Sequence, residues 1–190
     1  METLVQLDKD LFLFLNGLGT PGWDGFWLYL SQKVSFITVP LYLLLLFLSH
    51  RAFDIKKTLL LLVFVGLTIL TTDQLANFFK YGVARFRPCH DETISQLMRL
   101  VKSYCGGKYG YFSAHAANSF ALASFFMLVF TGRFKWLLVL LLVWALLVSY
   151  SRIYIGVHFP LDVITGVGIG GFLGWLYARL FTFAALKWSL

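Results

Sequence analysis

Three stretches of this sequence hold polar side chains of kinds that act together on anions. Lys80 and Arg87 stand in the first, Ser113 and His115 in the second, and Arg152, His158 and Asp162 in the third. Arginine offers a planar fork of donors to oxyanions, and lysine a compact charge. Ser113 falls where an apolar run begins, so its hydroxyl and the first free N–H groups of a helix could donate to an anion. His158 and Asp162 are four positions apart, one turn along a helix face. A carboxylate there could keep one imidazole nitrogen protonated and leave the other free as a nucleophile. His115 is a second imidazole, available as a general acid. This set fits phosphoryl transfer through a phosphohistidine. Metal-assisted hydrolysis fits less well, because His115, His158 and Asp162 would be the ligands and the neighbouring cations would repel a metal ion.

Each residue also has a plainer reading. Lys80, Arg85 and Arg87 could be long side chains reaching from a helix end to the headgroups. His115 could bond between helices, and Asp162 could pair with Arg152. His50 and His90 read as solvated loop residues.

The elements that must position these groups are helices in a membrane. Of the 190 residues 59% are hydrophobic and 13% charged, with 20 Phe and six Trp, and the mean hydropathy is +0.77. A small soluble domain has too little interior to hide that much apolar surface. Disordered, collagen-like and disulfide-dense secreted chains are excluded on the same composition. A membrane span needs about 20 mostly apolar residues, and the runs between charges give five: roughly 27–49, 57–79, 112–131, 135–152 and 160–182. Continuous rather than alternating apolarity selects helices, because lipid leaves no unpaired backbone group satisfied. Leu4, Leu7, Leu11, Phe14 and Leu18 recur at spacings of three and four around Asp8, Lys9 and Asp10. This reads as an amphipathic interfacial helix, stopped by Gly19-Thr20-Pro21-Gly22. The expected architecture is all-α, a single polytopic bundle over 1–190. With no basic segment at its start, the chain is expected to use its first span as the insertion signal.

Five spans put the loop at 80–111 and the loop near 152–159 on one side of the bilayer. The opposite side carries Arg51, Lys56, Lys57, Arg133, Lys135, Arg179 and Lys187 against the single acid Asp54. Short, almost purely basic connections mark a cytoplasmic face, so the chemistry-bearing side is expected to be periplasmic. The net charge of +7 then reads as topology and attraction to anionic lipids, with no nucleic-acid partner. Cys89 and Cys105 share the outer loop, where a disulfide would persist; two unpaired thiols are the alternative.

The pattern Lys80-(six residues)-Arg87-Pro88, Ser113-x-His115 and Ser151-Arg152-(five residues)-His158-(three residues)-Asp162 resembles the three-part signature of the type 2 phosphatidic acid phosphatase (PAP2) superfamily. That resemblance implies a helical core shared with haloperoxidases. It implies His158 as nucleophile, Asp162 as its orienting partner and His115 as acid and then base. Lys80, Arg87, Ser113, Arg152 and the amide of Ala114 would bind phosphoryl oxygens, with no metal or other cofactor. Where the family commonly reads Pro-Ser-Gly-His, this chain has Phe112-Ser113-Ala114-His115, which narrows the backbone freedom at 114. Asp73, Asn77 and Lys80 share a helix face, read as a network that positions Lys80. Asn118 lies one turn beyond His115 and is expected to orient it. Gly166, Gly170 and Gly174 form a small-residue stripe, read as bundle packing before dimerisation.

The substrate implied is a lipid phosphate or diphosphate. Undecaprenyl diphosphate ranks first, on size and compactness. Phosphatidylglycerophosphate, phosphatidate and lipid A phosphates are the alternatives. A non-enzymatic lipid transporter or scramblase accounts for the helices and basic rim but not for the paired imidazoles. A haloperoxidase conflicts with the membrane spans.

Overall fold

The computed structural model describes residues 2–32 and 35–187. It is all-helical. Among the described residues the helices are α1 (Glu2–Gly17), α2 (Pro21–Leu30), α3 (Thr38–Ala52), α4 (Ile55–Val83), α5 (Ala114–Val129), α6 (Lys135–Tyr154) and α7 (Pro160–Lys187), with a 3₁₀ turn at Pro88–His90. Helices α4, α6 and α7 are long and apolar enough to cross a membrane, while α3 and α5 are apolar but shorter.

Local chemistry sets the boundaries. Asp54 caps α4 by accepting from the Lys57 N–H at 2.9 Å, and Ala84 ends it in the left-handed region at φ 52°. Pro160 opens α7, where its missing N–H costs nothing. The chain reverses between α6 and α7 through Gly156, at φ +82°.

The expected first span, 27–49, is broken. Helix α2 stops at Leu30 and α3 starts at Thr38. In between, the Ser35 N–H donates to the Thr38 hydroxyl at 3.0 Å, and the Thr38 N–H donates to the Ser35 hydroxyl at 3.2 Å. These side chains offer the backbone partners that compete with a continuous helix. Lys33 and Val34 lie outside the described residues.

Helix α1 forms and stops where expected, with an unexpected face turned inward. Leu4, Leu7, Leu11, Phe14 and Leu18 are exposed, whereas Asp8, Phe12 and Asn16 are buried. The stripe at i, i+4 and i+8 that meets the protein is therefore led by polar groups. Asn16 donates to the carbonyls of Arg99, Ile153 and Tyr154 and accepts from the Arg99 N–H at 2.8 Å.

Helix α5 lies at the centre, against α4, α6 and α7. The glycine stripe of α7 faces it. A Cβ at Gly166, Gly170 or Gly174 would strike the carbonyl oxygen of Ser113, Ala117 or Ala121 respectively. The stripe thus serves packing inside the bundle. A large aromatic and aliphatic cluster around Phe125, Phe126, Leu141 and Phe181 fills the half of the bundle away from the polar loops.

Candidate active site

The C-terminal ends of α4 and α6 and the N-terminal ends of α5 and α7 meet on one side of the bundle, under the loop at 84–113. The Ser113 N–H donates to the Asp162 carbonyl at 2.9 Å, which ties the start of α5 to the first turn of α7. Histidine 158 sits just before α7 and is 2% exposed. Its Nδ1 lies 3.5 Å from Asp162 Oδ2. That oxygen accepts from the Phe159 N–H at 3.0 Å, and Oδ1 accepts from Arg85 Nη1 at 2.9 Å. Asp162 is thus held on both oxygens beside the ring, while His158 Nδ1 makes no hydrogen bond among the described residues.

Burial, and then the positive charges of Arg87, Arg152 and Lys80, hold the His158 imidazole well below the usual histidine range. The ring is neutral at physiological pH, with lone-pair density available to an electrophile. The three cations whose charges act on the ring come from α4, the loop after it and α6. The plain reading of Lys80 and Arg87 as side chains reaching for headgroups does not describe this arrangement. Arg87 Nε donates to the Tyr109 carbonyl at 3.2 Å, and its Nη1 to the Cys105 carbonyl at 3.4 Å. Burial lowers its pKa, with the Asp162 charge opposing. Arg152 is 4% exposed. It donates to the Ser31 hydroxyl from Nη1, while its Nε is buried without a hydrogen-bond partner among the described residues.

Ser113 caps α5, its hydroxyl accepting from the Ala116 N–H at 3.5 Å. An acceptor role leaves its own hydrogen free to donate. Ala114 opens the helix and is not among the described residues with positive φ. Alanine in place of glycine therefore carries no backbone strain at this position. His115 is half-buried and lines a cavity of about 350 Å³. That cavity runs from Ser31, Gln32, His115 and Asn118 down to Phe126 and Trp144. Tyr42, Leu46 and Leu62 are exposed at its edge, so it opens sideways between α3 and α4.

The supporting residues divide. Asn118 Nδ2 donates to Asp73 Oδ1 at 2.8 Å, which joins α5 to α4 one turn below His115. Asn77 is exposed and stands apart from that link. Although it stands four residues from Asp73 on α4, its side chain is turned toward the surface. Asp162 pairs with Arg85 rather than with Arg152. Cys89 and Cys105 form a disulfide with Cα atoms 6.1 Å apart, which closes the loop that carries the carbonyl partners of Arg87.

Several residues at the site escape a reading by motif. Arg85 bridges Asp162 and Asp8, and its guanidinium lies 4.5 Å from the Phe159 ring centroid. Lys102 has its pKa lowered by burial and then by repulsion from Arg152 and Arg87, which places a further cation near the cluster. At Gly110 a Cβ would stand 3.1 Å from Arg87 Cγ and 3.2 Å from Asp162 Oδ2, so any side chain there presses on both. No repeat or spacing marks these positions. The unusual burial of an acid on α1 could be suspected only from Asp8 interrupting a leucine stripe.

A membrane-embedded helical bundle that gathers a neutral imidazole, its carboxylate and converging cations at one end is built as a phosphatase. The comparisons agree: the family model of the PAP2 superfamily matches residues 57–185, and the chain belongs to that superfamily. It is 41% identical over 179 residues to the lipid A 4'-phosphatase of Bacteroides thetaiotaomicron, covering 93% of this chain and 78% of that one. It is 31% identical over 163 residues to the undecaprenyl-diphosphatase of Sulfolobus acidocaldarius, covering 76% and 72%. The crystal structure of Aquifex aeolicus LpxE superposes with a TM-score of 0.65 at 27% identity, over 90% of this chain and 93% of that one. The chain is an integral membrane lipid phosphatase.

Proposed function

We propose that the chain, acting as one domain, hydrolyses a phosphate monoester of a lipid A-type glycolipid at the periplasmic surface of the inner membrane. Only size and compactness rank undecaprenyl diphosphate first. The 41% identity with a lipid A 4'-phosphatase over most of both chains supports the glycolipid instead. The observation that carries the chemistry is the buried His158, with Nδ1 3.5 Å from Asp162 Oδ2 and the charges of Arg87, Arg152 and Lys80 acting on it.

Nδ1 faces the carboxylate, so Nε2 is the nitrogen that attacks phosphorus. The cations bind the phosphoryl oxygens and offset the charge that grows on them. An N–P bond forms as the P–O bond to the sugar breaks, and His115 gives its proton to the leaving oxygen. His115 then takes a proton from water, and the hydroxide so formed displaces His158 to release inorganic phosphate. Side chains supply every positive charge these steps need.

The cavity supports a lipid substrate. Its volume of about 350 Å³ lies within the usual range for a ligand pocket. Its walls are apolar below His115, and its side opening lets a tail enter from the bilayer. The orientation is supported by the basic connections at the opposite end.

The test is phosphate release by purified protein from a panel of lipid A bisphosphate, undecaprenyl diphosphate and phosphatidylglycerophosphate, with His158→Ala as control. Release from lipid A at the 4' position, abolished in the variant, is the expected result. A preference for the diphosphate would return the substrate to the earlier ranking. Turnover by His158→Ala would overturn the nucleophile assignment.

A further inference from the structure

Helix α1 reaches the site through one side chain. Asp8 is 4% exposed. Its Oδ1 accepts from the Leu161 N–H at 2.8 Å, next in sequence to Asp162. Its Oδ2 pairs with Arg85 Nη2. The other arm of the same guanidinium reaches Asp162 Oδ1 at 2.9 Å. Arg85 is therefore shared between two buried carboxylates, only one of which touches the histidine. The neighbouring cation on α1, Lys9, is engaged elsewhere, with Asp91 at 2.8 Å and Thr93 at 2.9 Å.

The sharing has an electrostatic consequence. Asp8, Arg85 and Asp162 together carry a formal charge of −1 behind His158. Without Asp8 the remaining pair would carry none. The other charges facing His158 are positive: Lys80 from α4, Arg87 from the loop and Arg152 from α6. His115 on α5 lines the cavity that also holds Ser31, the hydroxyl partner of Arg152. When Nε2 of His158 bonds phosphorus while Nδ1 keeps its proton, the ring becomes cationic among these cations. A net negative charge behind it favours that state, together with the phosphoryl oxygens themselves.

We propose that Asp8 and Arg85 are positioning residues for the reaction, and that α1 completes the active site by keeping Asp162 aligned and its charge uncancelled beneath His158. The inference rests on His158 being the nucleophile. A pair that merely pinned α1 to the bundle would need neither the second carboxylate nor the bond to Leu161. Asn16 already anchors that helix through four hydrogen bonds.

The experiment uses full-length protein in detergent with isotope-labelled histidine. The His158 resonance is assigned by its loss in His158→Ala, and kcat is measured on lipid A bisphosphate, undecaprenyl diphosphate and phosphatidylglycerophosphate in parallel. Asp8→Asn keeps an acceptor for Leu161 and removes the charge. It is expected to lower the His158 titration midpoint by roughly half to one pH unit and kcat by about tenfold. Adding Arg85→Gln to Asp8→Asn restores the formal charge of −1. The midpoint is expected to return toward that of the unmodified protein, and kcat to recover in part. Arg85→Lys keeps the charge but loses the fork, so it should lower kcat without moving the midpoint; it replaces the double variant if that one does not fold. An unmoved midpoint in Asp8→Asn, or a further loss in the double variant, overturns the inference. In either case an inactive His158→Ala would leave the nucleophile assignment intact, whereas an active one would remove that assignment itself.

Discussion

Asp162 Oδ2 lies 3.5 Å from His158 Nδ1 and at the same time accepts the Phe159 N–H at 3.0 Å. The carboxylate is fixed by the backbone of the residue next to its own histidine, which holds its charge beside the ring. Asp162→Asn keeps the shape of this link but presents an amide that can set the wrong tautomer. The expected outcome is a kcat lower by roughly 10²–10⁴-fold with little change in KM, measured by phosphate release. A loss confined to KM would mean that Asp162 serves binding rather than the ring.

The pH dependence of stability follows from the same burial. The folded state holds His158 well below its ordinary value of 6.5, so the unfolded chain binds a proton that the native chain refuses. This contribution is fully present above pH 6.5 and is lost as pH falls below it, down to the folded pKa. The slope is up to about 1.4 kcal/mol per pH unit. Thermal unfolding in detergent should show Tm flat above neutrality and falling through the acid range. His158→Gln should flatten that fall. An equal decline in the variant would assign the acid sensitivity to other groups.

The disulfide between Cys89 and Cys105 is expected to act on Arg87. The Cys105 carbonyl, on one of the bridged residues, receives Arg87 Nη1 at 3.4 Å, so the bridge fixes an acceptor of this guanidinium. Opening a loop of this length removes about 3 kcal/mol in the chain-entropy model. A reductant, or Cys89→Ser with Cys105→Ser, should lower Tm and raise KM more than it lowers kcat. Mass spectrometry of protein from its native membrane gives the direct check, since two free thiols would exclude the bond.

Much of the site was legible because its residues sit at fixed spacings on, or next to, helix ends. Lys80, Arg87, His115, Arg152, His158 and Asp162 could be grouped before any coordinates, as could the glycine stripe of α7. What escaped depends on approach in space. Asp8 and Arg85 are 77 positions apart, and Gly110 matters only because a loop folds onto Arg87 and Asp162. The break between α2 and α3 was hidden by apolar residues on both sides of it. Ser35 and Thr38 exchange side-chain bonds at the start of α3 that hydropathy does not register. Asn77 shows the converse: a face shared along a helix does not decide which side of that face meets the bundle.

The cavity gives the last expectation. Val65 lines it from α4, below the level of His115 and beside the opening between α3 and α4. Val65→Trp would fill space without touching the polar residues at the top. If a lipid tail occupies this volume during turnover, the larger ring should displace it and weaken binding of the reacting lipid. A tailless phosphate monoester reaches the imidazoles without using the lower cavity. The loss in kcat/KM should therefore be at least about tenfold greater for the lipid than for the tailless ester, measured side by side in the same detergent. Equal losses for both would place the tail outside, in the surrounding bilayer, and leave the cavity without a part in substrate binding.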